Sequence, residues 1–226
     1  MAERYLGLPH GRRDFLTRAL ALGAAGGLGS LLLLPGGAYA GTINKIEGEV
    51  RVNGRLANAS TQVFGSDSIT TGANSSVSFL IGGDAFFLRA NSRLEMTSQG
   101  TSGTLISALR LVSGALGAAF YRGRDRRIIA PNVSAGIRGT GVYVEVLADS
   151  TYFCTCYGAV DLTATQGASE GMKERVLEVT ANHQARSIGG AQAGMRIADA
   201  PLINHSNAEM IALEALAGRP DPFQRR

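Results

Sequence analysis

Gly48-Glu49-Val50-Arg51-Val52-Asn53-Gly54 decides the fold class. Valines alternate with charged residues, the period-two pattern that turns one face of a strand to a core and the other to water. Asn-Gly closes the run, as a tight hairpin turn requires, because both central residues must take positive φ. The pattern repeats downstream. Val77, Phe79 and Ile81 alternate with Ser76, Ser78 and Leu80, Gly82-Gly83-Asp84 turns the chain, and Phe86 and Leu88 resume it. Leu94 and Met96 form another run, then Leu105, Leu109 and Leu111 on one parity, then Leu116, Ala118 and Phe120. Val133, Ala135 and Ile137 follow, then Val142, Val144 and Val146. Residues 151–157 and 159–164 read as a pair of strands split at Gly158, and Val176–Val179 as one more. Runs recurring every roughly 8–12 residues with turn residues between them predict a mainly β fold: many short strands in a sandwich, barrel or short solenoid.

Composition agrees. Of 226 residues 30 are glycine, and charged residues are 18% of the chain; average domains hold about 7% glycine and about 25% charge. That balance argues against a helical bundle. One helix is expected, at about 206–217, where Ser206-Asn207-Ala208-Glu209 is a capping box, Met210, Leu213 and Ala217 share a face, and Gly218 stops the run. The net charge is +4, of which Arg4, Arg12, Arg13 and Arg18 against Glu3 and Asp14 carry half. The remainder is too weakly basic for a nucleic-acid partner. Arg122, Arg124, Arg126 and Arg127 read as a solvated loop.

The first forty residues read as an address. Arg12-Arg13 precede the apolar stretch Ala19–Leu34, Pro35-Gly36-Gly37 breaks it, and Ala38-Tyr39-Ala40 supplies small residues at −3 and −1. Arg-Arg followed by Phe15-Leu16 resembles a twin-arginine export signal. Cleavage after Ala40 is expected, giving a periplasmic chain without a membrane span. The layout expected is a signal at 1–40, a β domain at 41–165 and a C-terminal extension at 166–226.

The order of the strands resembles the FecR-type periplasmic domain over residues 41–165. Gly48–Gly54 matches its opening G-x-V-x-V-x-G. Asp67-Ser68-Ile69-Thr70-Thr71-Gly72 resembles G-D-x-I-x-T-G, with Ser66 in place of the glycine. Leu88-Arg89-Ala90-Asn91-Ser92-Arg93-Leu94 matches L-x-x-x-S-x-L, and Leu111–Leu116 matches L-x-x-G-x-L. Ala130-Pro131 followed by Ile137-Arg138-Gly139-Thr140 resembles the step ending R-G-T. Tyr157-Gly158-Ala159-Val160 matches E-G-x-V, with Tyr for Glu. The resemblance implies a β-rich module that senses or binds outside the inner membrane. Full regulators of this kind relay through a membrane helix to a cytoplasmic sigma-factor segment. This chain shows no such segment, so the expectation is the non-enzymatic binding or sensory module alone, with a periplasmic protein, glycan or small ligand as partner.

Cys154-Thr155-Cys156 is not explained by that pattern. On a strand the two side chains share a face at about 6.6 Å of rise, which does not suit a disulfide. Two thiols in an oxidising compartment need a reason. They are half of a soft-metal or redox site, a disulfide on a bent backbone, or packed small residues. His183 and His205 are the histidines of the expected mature chain. With Cys154 and Cys156 they would make a Cys₂His₂ set suited to Zn²⁺ or Cu(I), although neither lies in a local ligand motif. No triad, paired-acid or phosphate-loop pattern accompanies them, so no catalytic activity is expected.

Overall fold

Asn53 and Gly54 take φ of 51° and 79° and join β2 (Val50–Val52) to β3 (Arg55–Leu56) in the expected hairpin. The computed structural model describes residues 40–99, 105–165, 174–189 and 197–224. The export-signal reading (1–39) and Gly190–Gly194 of the glycine-rich turn lie outside those residues. The protein is mostly β, with fifteen strands in one sheet and a single short helix near the C-terminus among the described residues.

The remaining early strands are β1 (Gly41–Glu47), β4 (Gln62–Val63), β5 (Ser68–Thr71), β6 (Ser76–Ile81), β7 (Asp84–Leu88) and β8 (Arg93–Gln99). Three long strands organise the sheet: β9 (Leu105–Ala119), β11 (Val133–Val146) and β12 (Ser150–Ala164). They are accompanied by β10 (Asp125–Ala130), β13 (Arg175–Thr180), β14 (Gln184–Gly189) and β15 (Ile197–Asp199). Each long strand serves two neighbourhoods. The first half of β9 pairs with β8 and lies parallel to β10, whereas its second half pairs with β7 and β11. β11 pairs with β10 over 125–130 and with β9 over 114–119. β12 pairs with β14 through residues 150–155 and with β13 through 158–163. Gly114, Gly139 and Gly158 sit where these strands change partner, all at positive φ.

Gly158 shows why glycine is needed. Its φ is +93°, and an added Cβ would stand 2.6 Å from Thr140 Cβ and 3.0 Å from Thr140 Cα. Gly158→Ala therefore meets both backbone strain and a clash in a packed bend. It is expected to lower stability by about 1–3 kcal/mol, read as an earlier urea midpoint at unchanged slope.

One buried apolar cluster draws on strands from β1 (Ile43) to β15 (Ile197). Phe79 stacks on Phe86 at 5.1 Å between ring centres, and Phe86 meets Phe120 edge-on at 5.8 Å. Leu88, Leu94, Leu109, Leu111, Val144, Phe153 and Leu162 complete it, all fully buried. A second apolar face uses Ala85, Ala115 and Ala119, whose small side chains let α1 (Asn207–Leu216) lie close, with Met210 and Leu213 turned inward. Ser206 caps α1 and Glu209 reaches back to it, as the capping box predicts; Gly218 follows at φ 69°.

Three details differ from expectation, each for a tertiary reason. Residues 151–157 and 159–164 form one bent strand rather than two, and 151–157 is dry on both faces because the C-terminal segment covers it. Leu105 is exposed and Ile106 buried, because the β8–β9 register shifts between Thr97 and Ser98. Arg126 is not solvated: its side chain is buried against Asp84 at 2.5 Å.

Candidate metal centre

Cys154 and Cys156 lie on one face of β12, as the i, i+2 spacing requires, alongside Tyr152. Both are free, with no exposed surface. The bend at Gly158 brings His183 to them. Since β13 and β14 pair with opposite halves of β12, the turn between them crosses the bend. His183 N–H donates to Cys156 O at 2.9 Å, and His183 holds a left-handed φ of 29°.

His205 arrives from a different direction. After β15 the chain crosses β14 and β12: Ala200 N–H donates to Ala185 O, Tyr152 O–H donates to Pro201 O, and Ile203 N–H donates to Tyr152 Oη. This lays His205 flat on Tyr143, ring centres 4.4 Å apart. One ligand atom each from Cys154, Cys156, His183 and His205 then lies within 4.8 Å of the other three. All four sequence candidates are brought together.

Hydrogen bonding fixes which ring nitrogens are free. His205 Nδ1 faces Ile203 O at 2.8 Å, so it carries the proton and Nε2 carries the lone pair. His183 Nε2 faces Asn207 Oδ1 at 2.6 Å, so it is the N–H and Nδ1 is free. The two free nitrogens face each other at 3.2 Å, and His183 Nδ1 lies 3.5 Å from Cys154 Sγ. Lone pairs repel at that distance unless a proton or a metal ion sits between them. Tetrahedral zinc, with bonds of about 2.0–2.1 Å to nitrogen and about 2.3 Å to sulfur, holds N and N about 3.3 Å apart and N and S about 3.5 Å apart. These two spacings match a tetrahedral set, and all four ligand atoms lie within 4.8 Å of one another. Histidine ligands whose second nitrogen is tied to a carbonyl are the usual arrangement around such ions.

The thiols differ. The neighbouring Cys156 thiol is the chief influence holding Cys154 down at about 5, helped by both imidazoles and opposed by burial. Burial pushes Cys156 well up. Burial also pushes the Tyr152 hydroxyl up to about 12, so it stays a neutral prop. Phe223 stacks on His183 at 5.4 Å and meets Tyr157 edge-on, closing the outer side. Asn207, the Ile203 carbonyl, Tyr143 and Phe223 were not sequence candidates. Only the capping box at Ser206 marked their neighbourhood, by placing Asn207 at the start of a helix.

No family model matches the chain, and no curated protein matches it. Among solved structures it is similar to two of a candidate anti-sigma factor from Parabacteroides distasonis. One is 9% identical with a TM-score of 0.47, the other 10% identical with a TM-score of 0.46. Each match covers 59% of this chain and 58% of that chain.

Proposed function

We propose that this chain is an exported, non-enzymatic metal-binding protein that holds one zinc ion through Cys154, Cys156, His183 and His205. The observation that carries the reading is the pair of imidazole lone pairs, each fixed by a hydrogen bond on its other nitrogen, turned toward one another beside two buried thiols. Four protein ligands leave no open position for a substrate, which fits holding rather than turnover. Charge selects the ion. In a dry site a divalent cation and two thiolates sum to zero, whereas buried net charge is strongly disfavoured. Copper(I) would be neutralised by Cys154 alone and would leave Cys156 protonated. Export follows from the first forty residues. Cleavage after Ala40 would leave β1, which starts at Gly41, whole. Within the FecR-type resemblance, such a domain is a module that binds, and here the ligand is the metal.

The test is elemental analysis of the full chain, purified without chelator, with native thiol titration on the same sample. The expected result is close to one zinc per chain and two thiols that react only after a chelator is added. A chain that takes up no zinc when it is supplied, with both thiols freely reactive, refutes the reading. One equivalent of copper with one reactive thiol would assign the site to copper(I) instead.

A further inference from the structure

The four ligands do not come from one element. Cys154 and Cys156 belong to β12 and His183 to the turn after β13, but His205 belongs to the strap that joins β15 to α1. Polar contacts tie that strap to Tyr152, Arg89 and Glu145, but little of it is buried. Between Pro201 and Ala208 the one buried side chain is His205; Pro201, Leu202, Asn204, Ser206, Asn207 and Ala208 are exposed and Ile203 is half-buried. Leu202 shows half of its surface to solvent. The helix beyond has independent anchors: Arg89 donates to Glu209 at 2.6 Å, Tyr157 donates to Glu214 at 2.5 Å, and Met210 and Leu213 are buried. The strap also reaches the metal centre a second time. Asn207, first residue of α1, accepts the His183 Nε2 proton and so aims Nδ1 at the site.

Resting on the zinc reading, we infer that the 200–207 strap is a metal-dependent closure: zinc pins it through His205, and the strap in turn completes the site by orienting His183 through Asn207. The two effects are one coupling seen from its two ends, since a ligand that binds the closed strap better must itself be bound better by a chain whose strap is closed. Asn207 is a positioning residue, because it touches a ligand and not the ion.

Full-length protein is compared with and without zinc by amide hydrogen exchange, and zinc affinity is measured by competition against a chromophoric chelator. Zinc is expected to slow exchange across 200–207 by about tenfold or more, within the usual range of coupling between sites, while β1–β8 are unchanged. Asn207→Ala, which keeps all four ligands, is expected to weaken zinc binding by about 10–100-fold, as removal of a partner behind a ligand does. Asn207→Asp keeps an acceptor oxygen and is expected to bind within a few-fold of the parent; a merely structural role for the amide would not discriminate in this way. If the parent chain binds zinc but exchange over 200–207 does not change, or if Asn207→Ala binds as tightly as the parent, the closure is refuted and the metal centre stands. If the parent chain binds no zinc, the centre itself is refuted and the closure with it.

Discussion

Cys154→Ser is expected to abolish the zinc-dependent part of the protein's thermal stability. A ligand present at about 1,000 times its Kd stabilises the native state by about 4 kcal/mol. For a chain of this size each kcal/mol moves Tm by about 2–4 °C, so the parent chain should gain roughly 8–16 °C on adding zinc and lose it to a chelator. In the variant that shift should vanish. Changing a partner behind a ligand already costs about 10–100-fold in affinity, and removal of a thiolate ligand should exceed that. Serine is close in size to cysteine, so the zinc-free variant should melt within a few degrees of the zinc-free parent. Thermal melts with zinc and with chelator read both quantities. A Cys154→Ser chain that keeps the full zinc shift would show that this sulfur is not a ligand.

Asp84→Ala is expected to be strongly destabilising although it lies outside the metal centre. Asp84 and Arg126 form an ion pair with side chains only 2% and 1% exposed. Asp84 also accepts the Tyr121 N–H at 2.8 Å, and Arg126 lies 5.8 Å above the Phe120 ring. Burial pushes the Asp84 carboxyl up, opposed by the Tyr121 N–H and by Arg126. Arg126 Nη2 already lacks a partner. Removing the carboxylate leaves a guanidinium buried without an anion, a change that typically costs about 3–5 kcal/mol. Urea unfolding measures it. Replacing both partners, Asp84→Leu with Arg126→Met, should recover most of the loss, because an apolar pair of similar volume needs no neutralisation. A loss below about 1 kcal/mol in Asp84→Ala would mean that water reaches Arg126 and the pair is not a core contact. Zinc content should be unchanged, since neither residue touches the centre.

Strands were legible in the sequence where apolar residues alternate with polar ones over several positions, but not β1, β10, β14 or β15, and β10 read as part of an arginine-rich loop although Arg126, Ile128 and Ala130 alternate inward. Val50 and Val52, or Val77, Phe79 and Ile81, announce themselves by alternation with polar neighbours. The same rule loses its grip in β12, where residues 151–157 are covered on both faces. What covers them is the strap and helix after residue 200, and no local pattern reports a contact so distant along the chain. A register shift likewise hid which of Leu105 and Ile106 is buried. Arg126 looked like its solvated neighbours because its anion, Asp84, sits in another strand.

The site divides along the same line. That Cys154 and Cys156 share a face follows from strand geometry alone. That His183 joins them depends on the bend at Gly158, which sends β13 and β14 to opposite halves of one strand. That His205 joins them depends on Tyr152 and Tyr143, which seat the strap. Those are tertiary facts, and the sequence held only the residue types. Asn207 was hidden altogether, because a helix-capping motif accounts for the residues around it without reference to a metal.

Strands β9, β11 and β12 each run through both halves of the molecule, and this shapes how the chain folds. Three of their pairings, β7–β9, β9–β11 and β12–β14, skip a strand in the chain, and sheets with such non-local pairings fold in milliseconds to seconds rather than microseconds. Because the same three strands build both halves, neither half is a unit that can assemble and wait for the other. The strand carrying the two thiols has β11 on one side and β13 and β14 on the other. The covering of Cys154 and Cys156 is completed by the segment after residue 200, which packs on β12 from far along the chain.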